Sequence, residues 1–131
     1  MKTLVGILSI AFLLTSCEDN SDIVVGNMTT LEINTEFDAG DVMKGEVVTA
    51  KFRLKNTGKY PLVIGEVKGS CSCTVAESPE EPILPGDEGE ILAYVNTDKV
   101  QAGPLHKSVR IVSNTEPSIT EVIIKANVIR K

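Results

Sequence analysis

Val48-Thr49-Ala50-Lys51-Phe52-Arg53-Leu54-Lys55, followed by Asn56-Thr57-Gly58-Lys59 and Pro61-Leu62-Val63-Ile64, is the stretch whose reading decides the fold. Val48, Ala50, Phe52 and Leu54 alternate with Thr49, Lys51, Arg53 and Lys55, the period-two pattern of a strand with one face in a core and one in water. The Asn-Thr-Gly that follows carries turn chemistry, with Gly58 free to take a positive φ. A second apolar strand is expected over Leu62 to Val67, and it runs into Cys71-Ser72-Cys73-Thr74.

The same alternation recurs on both sides. Leu31, Ile33 and Phe37 suggest a first strand ending near Asp38-Ala39-Gly40, and Lys44-Gly45-Glu46 reads as a turn. Beyond the cysteines, Pro79, Pro82 and Pro85 exclude a helix or a central strand, and Pro85-Gly86 has the residue order of a type II turn. Glu90 to Asn96 is expected as a strand with Ile91, Ala93 and Val95 on one face. Gln101 to Pro104 reads as a loop. Lys107 to Ser113 places Val109 and Ile111 inward, and Val122, Ile124, Ala126 and Val128 line a last strand. No stretch has a helical period. About seven strands separated by turns describe an all-β, immunoglobulin-like sandwich over residues 29–131.

Composition agrees with one modest domain. The 131 residues are 42% hydrophobic but only 4% aromatic, with no tryptophan, so aliphatic side chains must fill the core. Phe52 is the largest on its face, and truncating it to alanine should cost roughly 3–5 kcal/mol. The formal charge of −5 argues against a nucleic-acid partner, which would require a basic field.

The N-terminus reads as an address. Lys2 precedes an apolar run from Leu4 to Leu14 that is too short to span a bilayer as a mature helix. Leu14-Thr15-Ser16-Cys17 resembles a lipobox, the cleavage motif of bacterial lipoproteins. The resemblance implies a signal peptide over 1–16, diacylglycerol in thioether linkage to Cys17, and acylation of its amine. Several acyl chains on one residue make a stable anchor. The alternative is an ordinary secretory signal with an incidental cysteine. Cleavage after Ser16 removes Lys2, one of 13 basic residues against 18 acidic ones, so the formal charge moves from −5 to −6. Residues 17–28 form the lipidated cysteine and a polar tether whose Glu18-Asp19-Asn20-Ser21-Asp22 also resembles surface-export signals of lipoproteins in Bacteroidota. The expected location is the bacterial cell envelope, anchored by lipid at the outer membrane, on its periplasmic or surface face.

Taken in order, Phe37-Asp38, Gly45-Glu46, Phe52 to Gly58, Pro61 to Ile64, Ser70-Cys71-Ser72-Cys73-Thr74, Pro85-Gly86 and Ser113-Asn114-Thr115 resemble domain-of-unknown-function family 1573, a family of bacterial secreted proteins and lipoproteins. The resemblance covers about residues 30–130. It implies an immunoglobulin-like sandwich related to the sperm-protein and cilium-associated modules, and no activity. Ser72 stands where the family usually has glycine.

Cys71 and Cys73 are the residues that suggest chemistry. On a straight strand their Cα atoms would lie roughly 6.5–7 Å apart, at the limit for a bridge, so a disulfide requires a bend at Ser72. Reduced, they could hold a soft cation such as Cu(I). The simplest role, and the expectation adopted, is that of two small packing residues at a strand end. His106, the only histidine, reads as a surface residue on a loop before the Val109 strand. Lys51, Arg53 and Lys55 make a basic stripe that either keeps an outer face soluble or meets an anionic lipid, a glycan or an acidic protein. No nucleophile elbow, zinc-protease motif or phosphate loop occurs, no cofactor is implied, and the reading is not that of an enzyme. The functional expectation is a lipid-anchored binding or structural module whose partner is another envelope protein or a glycan. The alternative is thiol redox or soft-metal handling by Cys71 and Cys73.

Overall fold

The computed structural model describes residues 27–130. The signal segment, Cys17 and the tether up to residue 26 lie outside the described residues. Eight strands form two four-stranded sheets. In chain order they are β1 (Leu31–Ile33), β2 (Glu36–Met43), β3 (Val47–Asn56), β4 (Ile64–Gly69), β5 (Thr74–Glu77), β6 (Glu88–Asn96), β7 (Gly103–Ser113) and β8 (Ile119–Ile129). One sheet has the order β1-β3-β6-β5 and the other β2-β8-β7-β4. All pairings are antiparallel except that of β2 with β8.

The alternation in β3 is realised residue by residue: Val48, Ala50, Phe52 and Leu54 are buried and the residues between them exposed. Ile91, Ala93 and Val95 lie beside them in register on the neighbouring strand β6, and Val109, Ile111, Val122, Ile124, Ala126 and Val128 come from β7 and β8 of the other sheet. Phe52 is fully buried and meets Phe37 edge-on, with ring centroids 6.4 Å apart. The core is therefore aliphatic around one aromatic pair.

Several boundaries differ from the expectations, for identifiable reasons. Leu31, Ile33 and Phe37 do not share a strand. The chain leaves one sheet after Ile33 and joins the other at Glu36. Asn34 and Thr35 make the crossing: the Asn34 side chain accepts from Arg53 N–H at 2.9 Å, and Thr35 C=O accepts from Ile123 N–H at 2.8 Å. Gly40 does not end β2 but forms a bulge inside it, with φ +67° and the register against β8 shifting between Asp38 and Asp41. Leu62 precedes β4 instead of opening it. It is fully buried and bridges Ile83 through backbone bonds in both directions. β5 is the strand that sequence alone did not show. β7 begins at Gly103, four residues before the expected start, because Pro104 lies where β7 pairs with β8 alone and needs no second partner for its missing N–H.

The turns at Lys44-Gly45-Glu46 and Pro85-Gly86 are where expected. Glu46 N–H donates to Met43 C=O at 3.0 Å, and Asp87 N–H to Leu84 C=O at 3.0 Å with Gly86 at φ +84°, a type II geometry. No helix among the described residues is long and apolar enough to cross a membrane.

Candidate functional site

The four residues Ser70 to Cys73 carry the chain from β4 in one sheet to β5 in the other. Gly69 makes the corner possible: a Cβ there would lie 2.7 Å from both the Cβ and the carbonyl oxygen of Thr74. The corner is fixed on both sides. Ser70 N–H donates to Ser108 C=O on β7 at 2.9 Å, and Cys73 C=O accepts from Asn96 N–H on β6 at 2.9 Å. Thr74 N–H folds back onto Cys71 C=O at 3.1 Å. This bend brings the Cα atoms of Cys71 and Cys73 to 5.3 Å, and the two sulfurs form a disulfide. The expectation of two unlinked packing residues is thereby corrected. The straight-strand spacing on which it rested does not apply at a corner. Cys73 is buried and Cys71 partly exposed, so Cys71 is the more accessible half of the disulfide.

Lys51, Arg53 and Lys55 stand together on the outer face of β3, along an open trough of about 710 Å³ that Glu32, Asn34 and Glu88 also line. Their field is not uniformly basic. Glu90 lies 3.8 Å from Lys51 Nζ and 3.9 Å from Arg53 Nε, and Lys55 sits in register between Glu32 on β1 and Glu88 on β6. Three cations thus interleave with three carboxylates. Each exposed pair is worth about 0–1 kcal/mol, so the arrangement neutralises the face more than it stabilises the fold. His106 is exposed on β7, in register with Lys125 on β8, and not on a loop.

The residues that sequence reading undervalued are buried and polar. Asn56 is fully buried at the end of β3 and uses its whole side-chain amide. Oδ1 accepts from Thr29 Oγ1 at 2.7 Å and Gly58 N–H at 3.1 Å, while Nδ2 donates to Tyr60 C=O at 2.7 Å and Ile83 C=O at 2.8 Å. Asn114 repeats the scheme on the other sheet, accepting from Val63 N–H at 2.7 Å and donating to the carbonyls of Asn27 and Pro61 at 3.0 and 2.9 Å. Gly58 belongs to this cluster by close approach and not by a positive φ. A Cβ there would overlap Thr29 Oγ1 and lie 2.6 Å from Thr30 N. The two asparagines bind the chain's entry, the loop after β3, the Ile83 segment and the loop after β7 into one end of the sandwich.

The family described as "Protein of unknown function (DUF1573)" matches residues 31–128. The chain belongs to this family. Within the matched residues, Asn56-Thr57-Gly58, Ser70-Cys71-Ser72-Cys73-Thr74 and Ser113-Asn114-Thr115 form the Asn56 cluster, the disulfide corner and the Asn114 cluster described above. A search of curated proteins returns no match. Among solved structures, a Porphyromonas gingivalis W83 protein of unknown function superposes with a TM-score of 0.69 at 20% identity, over 83% of this chain and 51% of that one. The chain thus spans about half the length of that protein. The secreted serine protease VesC from Vibrio cholerae contains a similar region, with a TM-score of 0.58 at 13% identity over 76% of this chain and 23% of that one. The ASH/PapD-like domain 7 of human CEP192 aligns over 96% of this chain and 99% of its own length, with a TM-score of 0.58 at 13% identity. At such identities the likeness establishes the fold, an immunoglobulin-like and PapD-like sandwich.

Proposed function

We propose that this protein is a lipid-anchored module of the bacterial cell envelope, at the outer membrane, that acts by binding or by structural contact with another envelope protein or a glycan, and that it is not an enzyme. The observation that carries this reading is the position of Cys17 in a lipobox-like sequence, ten residues ahead of the residue where the sandwich begins to be held, Asn27. A tether of that length holds the domain close to the membrane surface. Cys17→Ala should leave an uncleaved, unacylated precursor. Mass spectrometry of the mature N-terminus reads the result, and an unmodified terminus beyond Cys17 in the wild type would refute the anchor.

The disulfide supports a second reading, thiol–disulfide exchange at Cys71–Cys73. A thiolate donor could attack Cys71 Sγ, on the more accessible half of the disulfide, forming a mixed disulfide and releasing Cys73 as the thiolate. A second donor thiol would then complete the two-electron reduction. Soft-metal binding would require that reduction first, because a disulfide offers no thiolate. Titration of thiols after equilibration in glutathione buffers separates the readings: a pair that stays oxidised throughout leaves only the binding module.

A further inference from the structure

Among the described residues, three exposed large hydrophobic residues stand outside strands, Met28 at 48%, Tyr60 at 44% and Leu84 at 55%, and all three belong to the end of the sandwich where the chain enters, whereas Val47 and Ile129 at the opposite end are terminal residues of β3 and β8. Met28 and Tyr60 line one trough of about 330 Å³ together with Gly58, Lys59 and Glu116. Leu84 is tied to them through Asn56, whose amide donates to the carbonyls of both Tyr60 and Ile83. These side chains are therefore presented by loops that buried hydrogen bonds hold in place. Loop tips are ordinarily polar, and apolar ones on a rigid frame mark a contact surface.

We propose that this end rests on the lipid surface, with Tyr60, Met28 and Leu84 entering the headgroup region. The placement deepens the lipid-anchored reading and rests on it. Asn27 lies ten positions after Cys17, a stretch that can span at most about 35 Å. Asn27 is itself fixed to this end by Asn114. The opposite end lies the length of the eleven-residue β7 and β8 farther away, about 36 Å. The tether could bring that end to the membrane only by running fully extended along the domain. The chemistry also suits the boundary. Tyrosine places its ring among acyl chains and its hydroxyl among headgroups, and Lys59 beside it can extend its ammonium to phosphate while its stem lies in apolar surroundings. Lys59 and Glu116 on one trough give no net charge, so apolar contact and not charge is the attraction.

The absence of tryptophan makes the test direct. Tyr60→Trp, and separately Tyr94→Trp on the outer face of β6, each give the acylated full-length protein one tryptophan. Each variant is reconstituted on vesicles of phosphatidylethanolamine with a minor share of phosphatidylglycerol. At position 60 the emission should shift to the blue, lose acrylamide quenching and gain quenching by brominated acyl chains, whereas position 94 should show none of these. Acylated protein that floats with the vesicles while position 60 stays as accessible as position 94 would overturn the lipid contact and leave the anchor standing. Protein that mass spectrometry shows to be unacylated would overturn both. Shielding of position 60 in whole envelopes but not in pure vesicles would assign the surface to a protein partner and overturn the lipid contact.

Discussion

At the scale of single residues, the polar interior decides more than the size of the side chains suggests. Asn56→Ala removes both acceptor and donor functions from a fully buried position, taking away the partner of Thr29 Oγ1, Gly58 N–H and Tyr60 C=O and leaving Ile83 C=O with Leu62 N–H alone. The loss should be about 3 kcal/mol, read as a lowered urea midpoint. Asn56→Asp keeps the shape and the acceptors but turns two donor contacts into a carboxylate facing carbonyls. It should destabilise at least as much, which a purely volumetric role would not require. Gly58→Ala should also destabilise, because its methyl group would meet the backbone of Thr30. Sequence reading located these residues and misassigned their work. Asn-Thr-Gly is legible as a turn from its own chemistry, but that Thr29, 27 positions away, packs against it is a tertiary fact. A period-two pattern likewise says that position 56 faces inward in β3 without saying which donors and acceptors wait there.

At the scale of elements, what was legible is the face each strand buries, and what was not is where the chain changes sheet. β3, β6, β7 and β8 declare themselves by alternation over several residues. β1 and β2 fuse in the sequence because the crossing at Asn34-Thr35 has neither proline nor glycine, and β5 is too short to show a period. The disulfide belongs to the same class of feature. Its geometry follows from the corner that Gly69 and Thr74 allow, and a strand-like spacing could not reveal it. Closing so small a ring should contribute roughly 1.6 kcal/mol in the chain-entropy account. Cys71→Ala and Cys73→Ala should then each lose about as much as the double mutant, and reductant should lower the wild-type midpoint while leaving the mutants unmoved. Additive losses and an insensitive wild type would return the pair to simple packing.

At the scale of the whole molecule, the entering segment completes the sandwich as well as delivering it to its anchor. Asn27 is bonded by Asn114, Thr29 by Asn56 and Asn114, and Thr30 accepts from Thr57, so residues 27–30 join the ends of both sheets before β1 begins. β1 then covers the free edge of β3 at Leu54 to Asn56, while Leu31 and Ile33 pack against the core. A chain starting at Asn27 should therefore give a β-type circular dichroism spectrum and one cooperative unfolding transition. A chain starting at Asn34 lacks these bonds, exposes a strand edge and uncovers two partly buried aliphatic residues. Its stability should fall by about 6 kcal/mol, from roughly 1 kcal/mol for each of these four hydrogen bonds and each of the two half-buried side chains. The strand edge it bares should also make it prone to association. Urea unfolding of the two chains at matched concentration checks this. Equal midpoints would mean that the first seven described residues only connect the anchor to a sandwich already complete without them.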